Sequence, residues 1–79
     1  MQGQRVEYDD GPKPGEYWKQ PDGSWSGVTP NGLHCWFKNH TITEHEDGTI
    51  TVAPSILVNG GRPNAWHGYL NHGVWVECQ

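Results

Sequence analysis

Between Trp66 and Cys78 the chain reads WHGYLNHGVWVEC. Apolar and polar residues alternate there with the two-residue period of a half-buried strand, and Asn71, His72 and Gly73 interrupt it. The interruption predicts a β-hairpin, for which two registers are open. A three-residue loop over 71–73 pairs Leu70 with Val74, Gly68 with Val76 and Trp66 with Cys78. It gathers Trp66, Leu70, Val74, Val76 and Cys78 on one face, and His67, Tyr69, Trp75 and Glu77 on the other. A two-residue His72-Gly73 turn mixes these sets, because a slip of one residue exchanges the faces. The three-residue loop separates apolar from polar better and is the expected one.

The same punctuation recurs. Pro21-Asp22-Gly23, Pro30-Asn31-Gly32, Glu46-Asp47-Gly48 and Asn71-His72-Gly73 all end in Gly. A three-residue hairpin loop is a type I turn followed by a left-handed residue. Pro suits its first position, Asp or Asn its second and Gly its third. At 46–48 this register joins Ile42, Ile50 and Val52 on one face, and Thr43, His45, Thr49 and Thr51 on the other. Strands are therefore expected near 16–20, 24–29, 33–38, 41–45, 49–53, 55–58, 65–70 and 74–78. Pro54 cannot donate to a ladder, so a bend or bulge is expected at 53–55. The connection over 59–64, NGGRPN, is the longest and most polar. Residues 1–14 are polar and broken by Asp9-Asp10-Gly11-Pro12; they read as a mobile arm with a short edge strand at 5–8. Residues 15–79 read as a single β domain. The expected class is all-β: a small antiparallel meander forming a compact sandwich or partial barrel.

Composition narrows what such a domain can do. With 79 residues and 33% hydrophobic content, the core is small, and domains of this size are marginal alone. Five Trp, three Tyr and one Phe compensate, because aromatic side chains bury the most area each. The formal net charge is −4, and the five cations Arg5, Lys13, Lys19, Lys38 and Arg62 are scattered. A duplex or long single strand needs a basic stripe, so no long nucleic acid is expected as a partner. A small anion remains open, since backbone N–H groups and one Arg can hold it. No apolar leader and no membrane-length run is present, so no membrane partner is expected. The expected location is cytoplasmic, with Cys35 and Cys78 reduced.

Several segments then carry a likeness. "TPNGLHCWFKNHTITEHEDGTITVAPSILV" followed by "WHGYLNHGVWVEC" resembles a family of short, uncharacterised bacteriophage and prophage proteins. The pattern rests on Trp36, Asp47-Gly48-Thr49, Pro54-Ser55-Ile56, His67-Gly68-Tyr69 and Gly73-Val74-Trp75, and spans about residues 15–78. The resemblance implies a phage origin and a compact β fold. It implies no reaction.

Four constellations carry residues of possible chemistry. Zinc wants four converging N or S ligands, and five His (34, 40, 45, 67 and 72) and two Cys are available. No CxxC or HxxxH pair exists, and strand neighbours such as Glu44-His45-Glu46 face opposite ways, so no metal is expected. Cys35 adjoins His34, but alternation separates them, and Cys35 beside Trp36 and Phe37 reads as a small buried hydrophobe. Ser55, at the Pro54 irregularity, has no base that the sequence can name. Asn59-Gly60-Gly61-Arg62 offers two Gly and a cation as a phosphate cradle, though it lacks the P-loop pattern. Last, His67, Tyr69, Trp75 and Glu77 share the polar face of the final hairpin. Two large aromatics there either stack on a flat ring or pack against a second subunit or the other sheet.

The expected ligand-binding set is therefore Arg62, Asn64, His67, Tyr69 and Trp75, with no catalytic residue and no cofactor. The expected function is that of a phage-encoded, non-enzymatic, homo-oligomeric binding protein. It holds a small nucleotide-like ligand and sequesters a host defence signal in the cytoplasm of an infected bacterium. One alternative is a protein-interaction module that inhibits a host protein through this face or an edge strand. Another is a metal-dependent enzyme using His34, His67 or His72.

Overall fold

The computed structural model describes residues 1–7 and 12–78, and its regular elements are all strands. The end of the expected 5–8 strand and the break at 9–11 lie outside the described residues. The strands are β1 (Gln4–Arg5), β2 (Glu16–Lys19), β3 (Trp25–Val28), β4 (His34–Trp36), β5 (Thr41–Glu44), β6 (Ile50–Val58), β7 (Trp66–Asn71) and β8 (Val74–Glu77). β1 to β4 form one four-stranded sheet and β5 to β8 another, each in sequence order. Every pairing is antiparallel except β1 with β2, and the sheets do not close into a barrel.

Three of the four Gly-terminated loops close in the expected register. Gln20 pairs with Ser24 around 21–23, Thr29 with Leu33 around 30–32, and His45 with Thr49 around 46–48. Gly23, Gly32 and Gly48 all take φ near +90°, the left-handed region these loops need. Asp22 and Asp47 fix the turns by accepting from the amide and hydroxyl of Ser24 and Thr49. In the second sheet Ile42 faces Val52 and Glu44 faces Ile50, as the pattern predicts. The expected irregularity at Pro54 is present: the β6–β7 register shifts between Val52 and Ile56, and the Ala53–Pro54 peptide is cis.

The last hairpin closes differently. Asn71 pairs with Val74, Leu70 with Trp75 and Gly68 with Glu77, around a two-residue His72-Gly73 turn. His72 (φ 48°) and Gly73 (φ 76°) are both left-handed, the requirement of a type I′ turn. The expected three-residue loop is thus corrected, and the reason is area. It would hide the small side chains of Val74 and Val76 and leave one indole outside. The observed register buries Trp75 and leaves Val76 51% exposed. An indole removes far more apolar surface from water than a valine side chain does.

The core lies between the sheets. Tyr17, Trp25, Cys35 and Phe37 come from the β1–β4 side, and Ile50, Val52, Ile56, Trp66, Leu70 and Trp75 from the other. The Trp66 and Trp75 rings meet edge to face, 5.5 Å apart. Trp75 Nε1 donates to the Gly15 carbonyl at 2.9 Å, so the indole is buried with its polar atom satisfied.

The first residues are bonded into both sheets, where the sequence pattern predicts a mobile arm. Gly3 N–H donates to Gly73, Trp75 N–H to Met1 and the N-terminal ammonium to Trp75 O, so this segment lines β8. Gln4 N–H then donates to Gly15 and Val6 N–H to Tyr17, which lines β2. One stretch of chain covers an edge of each sheet. β4 and β5 keep one side without a partner strand among the described residues.

Candidate functional site

The expected ligand set does not assemble. His67 and Tyr69 share the outer face of β7, and Tyr69 is 46% exposed. Trp75 stands on the opposite face and is 2% exposed, so it cannot meet a ligand beside Tyr69. Arg62 and Asn64 lie in the exposed loop before β7. The Asn64 carbonyl accepts from Asn31 Nδ2 at 3.1 Å, which ties that loop to the 30–32 turn. Tyr69 borders a hollow of about 240 Å³ with Thr51, Ala53 and Pro54.

The other chemistry-bearing residues are likewise placed. His67 Nε2 lies 3.1 Å from Ser55 Oγ, a base beside the hydroxyl for which the sequence names none. Among the described residues no carboxylate hydrogen-bonds to His67, the kind of group that orients the base of such a pair. Cys35 is buried, its Sγ donates to the Gly27 carbonyl, and burial pushes the thiol up to about 12, which keeps it protonated. Cys35 and Cys78 are both free thiols. His72 stacks on His45 with centroids 3.7 Å apart and planes 8° apart. Ring nitrogens in parallel planes do not converge on one ion. Among the described residues no group of three or more His, Cys, Asp or Glu could hold a metal. The Arg62 loop has left-handed Asn59 and Gly61 but turns on its own backbone, with Arg62 N–H donating to Asn59 O.

A hollow of about 440 Å³ lies beside Arg5, Tyr17 and Gly48. Its one cation is already engaged: Arg5 pairs with Glu44 at 2.8 Å, donates to Gly48 O and lies over the Trp25 ring. That bond holds the Glu44 carboxyl below the usual carboxylate range.

The outer face of the first sheet carries the arrangement that sequence reasoning missed. Ladder pairs put Trp18, Ser26 and Trp36 in one row across β2, β3 and β4. Trp18 and Ser26 are buried, whereas Trp36 is 68% exposed. Of the five Trp in the chain it alone is exposed. His34 lies 5.4 Å from the Trp18 ring and 5.6 Å from the Trp36 ring, bracing the platform from one side. On the other side a hollow of about 370 Å³ is lined by Gln20, Asp22, Ser24, Trp25, Trp36 and Lys38. Hydrogen bonds hold three of its polar groups, Asp22, Ser24 and Gln20, in place. Asp22 sits in the 21–23 turn, and bonds from Ser24 hold its carboxyl below its ordinary value, so it is ionised at neutral pH. Gln20 Nε2 donates to Ser26 Oγ at 3.0 Å, which fixes the amide. Strand alternation was the available clue: if Cys35 points inward, Trp36 points outward.

Compared with known proteins, the chain matches no family model, no curated protein and no solved structure. No helix among the described residues is long and apolar enough to cross a membrane.

Proposed function

We propose that this protein is a non-enzymatic binding protein for a small ring-bearing ligand, with Trp36 as the stacking surface. One observation carries the reading: Trp36 is 68% exposed at the rim of a hollow, while the other four Trp are buried. Leaving an indole in water forgoes the burial free energy that the rest of the chain collects, unless a ligand or partner covers it. The hollow, about 370 Å³, falls in the range of small-molecule sites, roughly 300–1,000 Å³. A nucleotide-like molecule meets part of the requirement through its flat base, with Lys38 as one cation for a phosphate. The likeness to phage proteins supports placing such a ligand among host signals withdrawn in the infected cell, by a self-associating protein.

Native mass spectrometry of untagged protein, repeated after denaturation, tests this reading together with an NMR fragment screen. The expected result is extra mass that leaves on denaturation, and a Trp36 indole signal that moves with ring-bearing fragments. A bare protein whose Trp36 signal ignores every fragment overturns it.

A second reading has its own observation. The outer sides of β4 and β5 lack partner strands among the described residues, and such edges accept an extended segment of another protein. Recovery of one stoichiometric protein partner, with no small molecule, favours that interaction module.

A further inference from the structure

The lining of the Trp36 hollow narrows the class of ligand, an inference that rests on the binding reading above. Among the described residues its charged groups are one ionised carboxylate, Asp22, and one ammonium, Lys38, so they bring no excess positive charge. Phosphate recognition favours such an excess, delivered by Arg, Lys or several backbone N–H groups, and here the charge of Lys38 is offset by Asp22. None of the Arg residues lines this hollow. The chain as a whole carries −4, which repels a polyanion at longer range.

What the hollow offers is a set of hydrogen-bond partners with no net charge, placed around one aromatic face. Asp22 Oδ1 is occupied by Ser24, which leaves Oδ2 to accept. Gln20 uses Nε2 on Ser26, which leaves its carbonyl oxygen to accept. Lys38 donates, and the Ser24 hydroxyl already donates to Asp22, so it too has acceptor capacity. The lining is thus richer in acceptors than in donors. It calls for a ligand with several O–H donors, some acceptor oxygens, no charge and a face that packs on an indole.

A pyranose ring has that chemistry. Its axial C–H bonds present an apolar face to the electron-rich face of Trp36, and its equatorial hydroxyls form a polar rim. Only one face of the ligand is covered, since Trp25 lines the hollow from its buried position and no second exposed indole stands opposite. We infer that the Trp36 hollow binds a neutral saccharide ring, with Asp22 and Gln20 accepting from its hydroxyls and Lys38 donating to a ring or hydroxyl oxygen.

The test is a titration of the whole chain, followed through the indole signals by NMR. The probes are neutral mono- and disaccharides (glucose, galactose, N-acetylglucosamine, maltose, cellobiose and N,N′-diacetylchitobiose). Adenosine and AMP are titrated in parallel. The expected result is saturable movement of the Trp36 indole signal by at least one saccharide at millimolar concentration. Trp36→Ala should weaken that binding about tenfold or more, while Trp36→Phe retains part of it. Lys38→Ala should weaken it less than Trp36→Ala does. Trp36 is exposed, so both variants should keep the wild-type amide spectrum, which is recorded as the folding control. If AMP moves Trp36 and no saccharide does, the binding reading stands and the saccharide inference falls. If a saccharide binds Trp36→Ala as well as wild type, the site assignment falls. If no probe moves Trp36, both fall.

Discussion

Leu70 stands directly opposite Trp75 across β7 and β8, one place away from the Val74 partner that the separation of apolar from polar residues predicts. That single step decides which aromatic is core and which is surface. Trp75 packs against Trp66 and Phe37, and Tyr69 faces outward. Trp75→Ala should therefore cost about 3–5 kcal/mol in urea unfolding, enough to unfold a domain this small. Tyr69→Ala should stay within about 0.5 kcal/mol of wild type. The opposite ranking would restore the three-residue loop.

Gly68 tests the same hairpin from the backbone side. A Cβ there meets the Val76 carbonyl oxygen, the Trp66 ring at 2.6 Å and Glu77 Cα at 2.9 Å. Two of these are backbone atoms of the paired strand and cannot swing away. Gly68→Ala should lose about 1–3 kcal/mol as overpacking. Unchanged urea stability would mean that β8 does not approach β7 this closely.

The N-terminal segment makes a separate prediction. A Cβ on Gly3 falls 2.6 Å from Gly73 O and 2.9 Å from Trp75 Nε1. Gly3→Ala should lift residues 1–6 from both sheets. Hydrogen exchange should then speed up at Trp75 and Val6, whose amides donate to Met1 and Tyr17. Wild-type exchange at both amides would show that the contact is not maintained in solution.

Cys35 sets an alkaline limit. Burial raises its thiol from the ordinary 9.0 to about 12. Between those values the unfolded chain has lost the proton that the folded chain keeps, so stability falls as pH rises. The slope approaches about 1.4 kcal/mol per pH unit at most. Below pH 9.0 this contribution is fully present. Thermal unfolding from pH 8 to 11 should show the decline in wild type and a shallower one in Cys35→Ala, which removes the titrating group.

Fluorescence isolates Trp36. Trp25, Trp66, Trp75 and Trp18 are buried, so acrylamide reaches Trp36 first. Trp36→Phe should remove most of the quenching and blue-shift the emission, with stability changed by less than about 0.5 kcal/mol. Quenching that survives the substitution would place another indole at the surface.

Much of the fold was legible before any coordinates, for local reasons. Pro-Asp-Gly, Pro-Asn-Gly and Glu-Asp-Gly specify both the loop length and the residue that turns left-handed. Pro54 announces its own break in the ladder, since it lacks the N–H that pairing requires. Asn-His-Gly is ambiguous on the same terms. His and Gly can both adopt positive φ, so the tripeptide fits a two-residue turn as well as a three-residue loop. Counting apolar positions favours the side chains of Val74 and Val76 over one indole. Only the opposing sheet, with Phe37 and Tyr17 in place, gives that indole somewhere to be buried.

The candidate site follows the same division. Alternation along His34, Cys35 and Trp36 is enough to send Trp36 outward, because successive side chains of a strand face opposite ways. Alternation also supplies Lys38, two places on from Trp36, but no periodicity brings Gln20, Asp22 and Ser24 beside it, since they come from a different hairpin. Their meeting depends on which strands pair and in what order. The sequence by itself determined the β class, three hairpin loops, the break at Pro54 and the inward turn of Cys35, all set by backbone conformations and side-chain alternation within a few residues. The tertiary structure alone decided the last register, the bonding of residues 1–6 across both sheets and the hollow beside Trp36, because each depends on contacts between residues far apart in the chain.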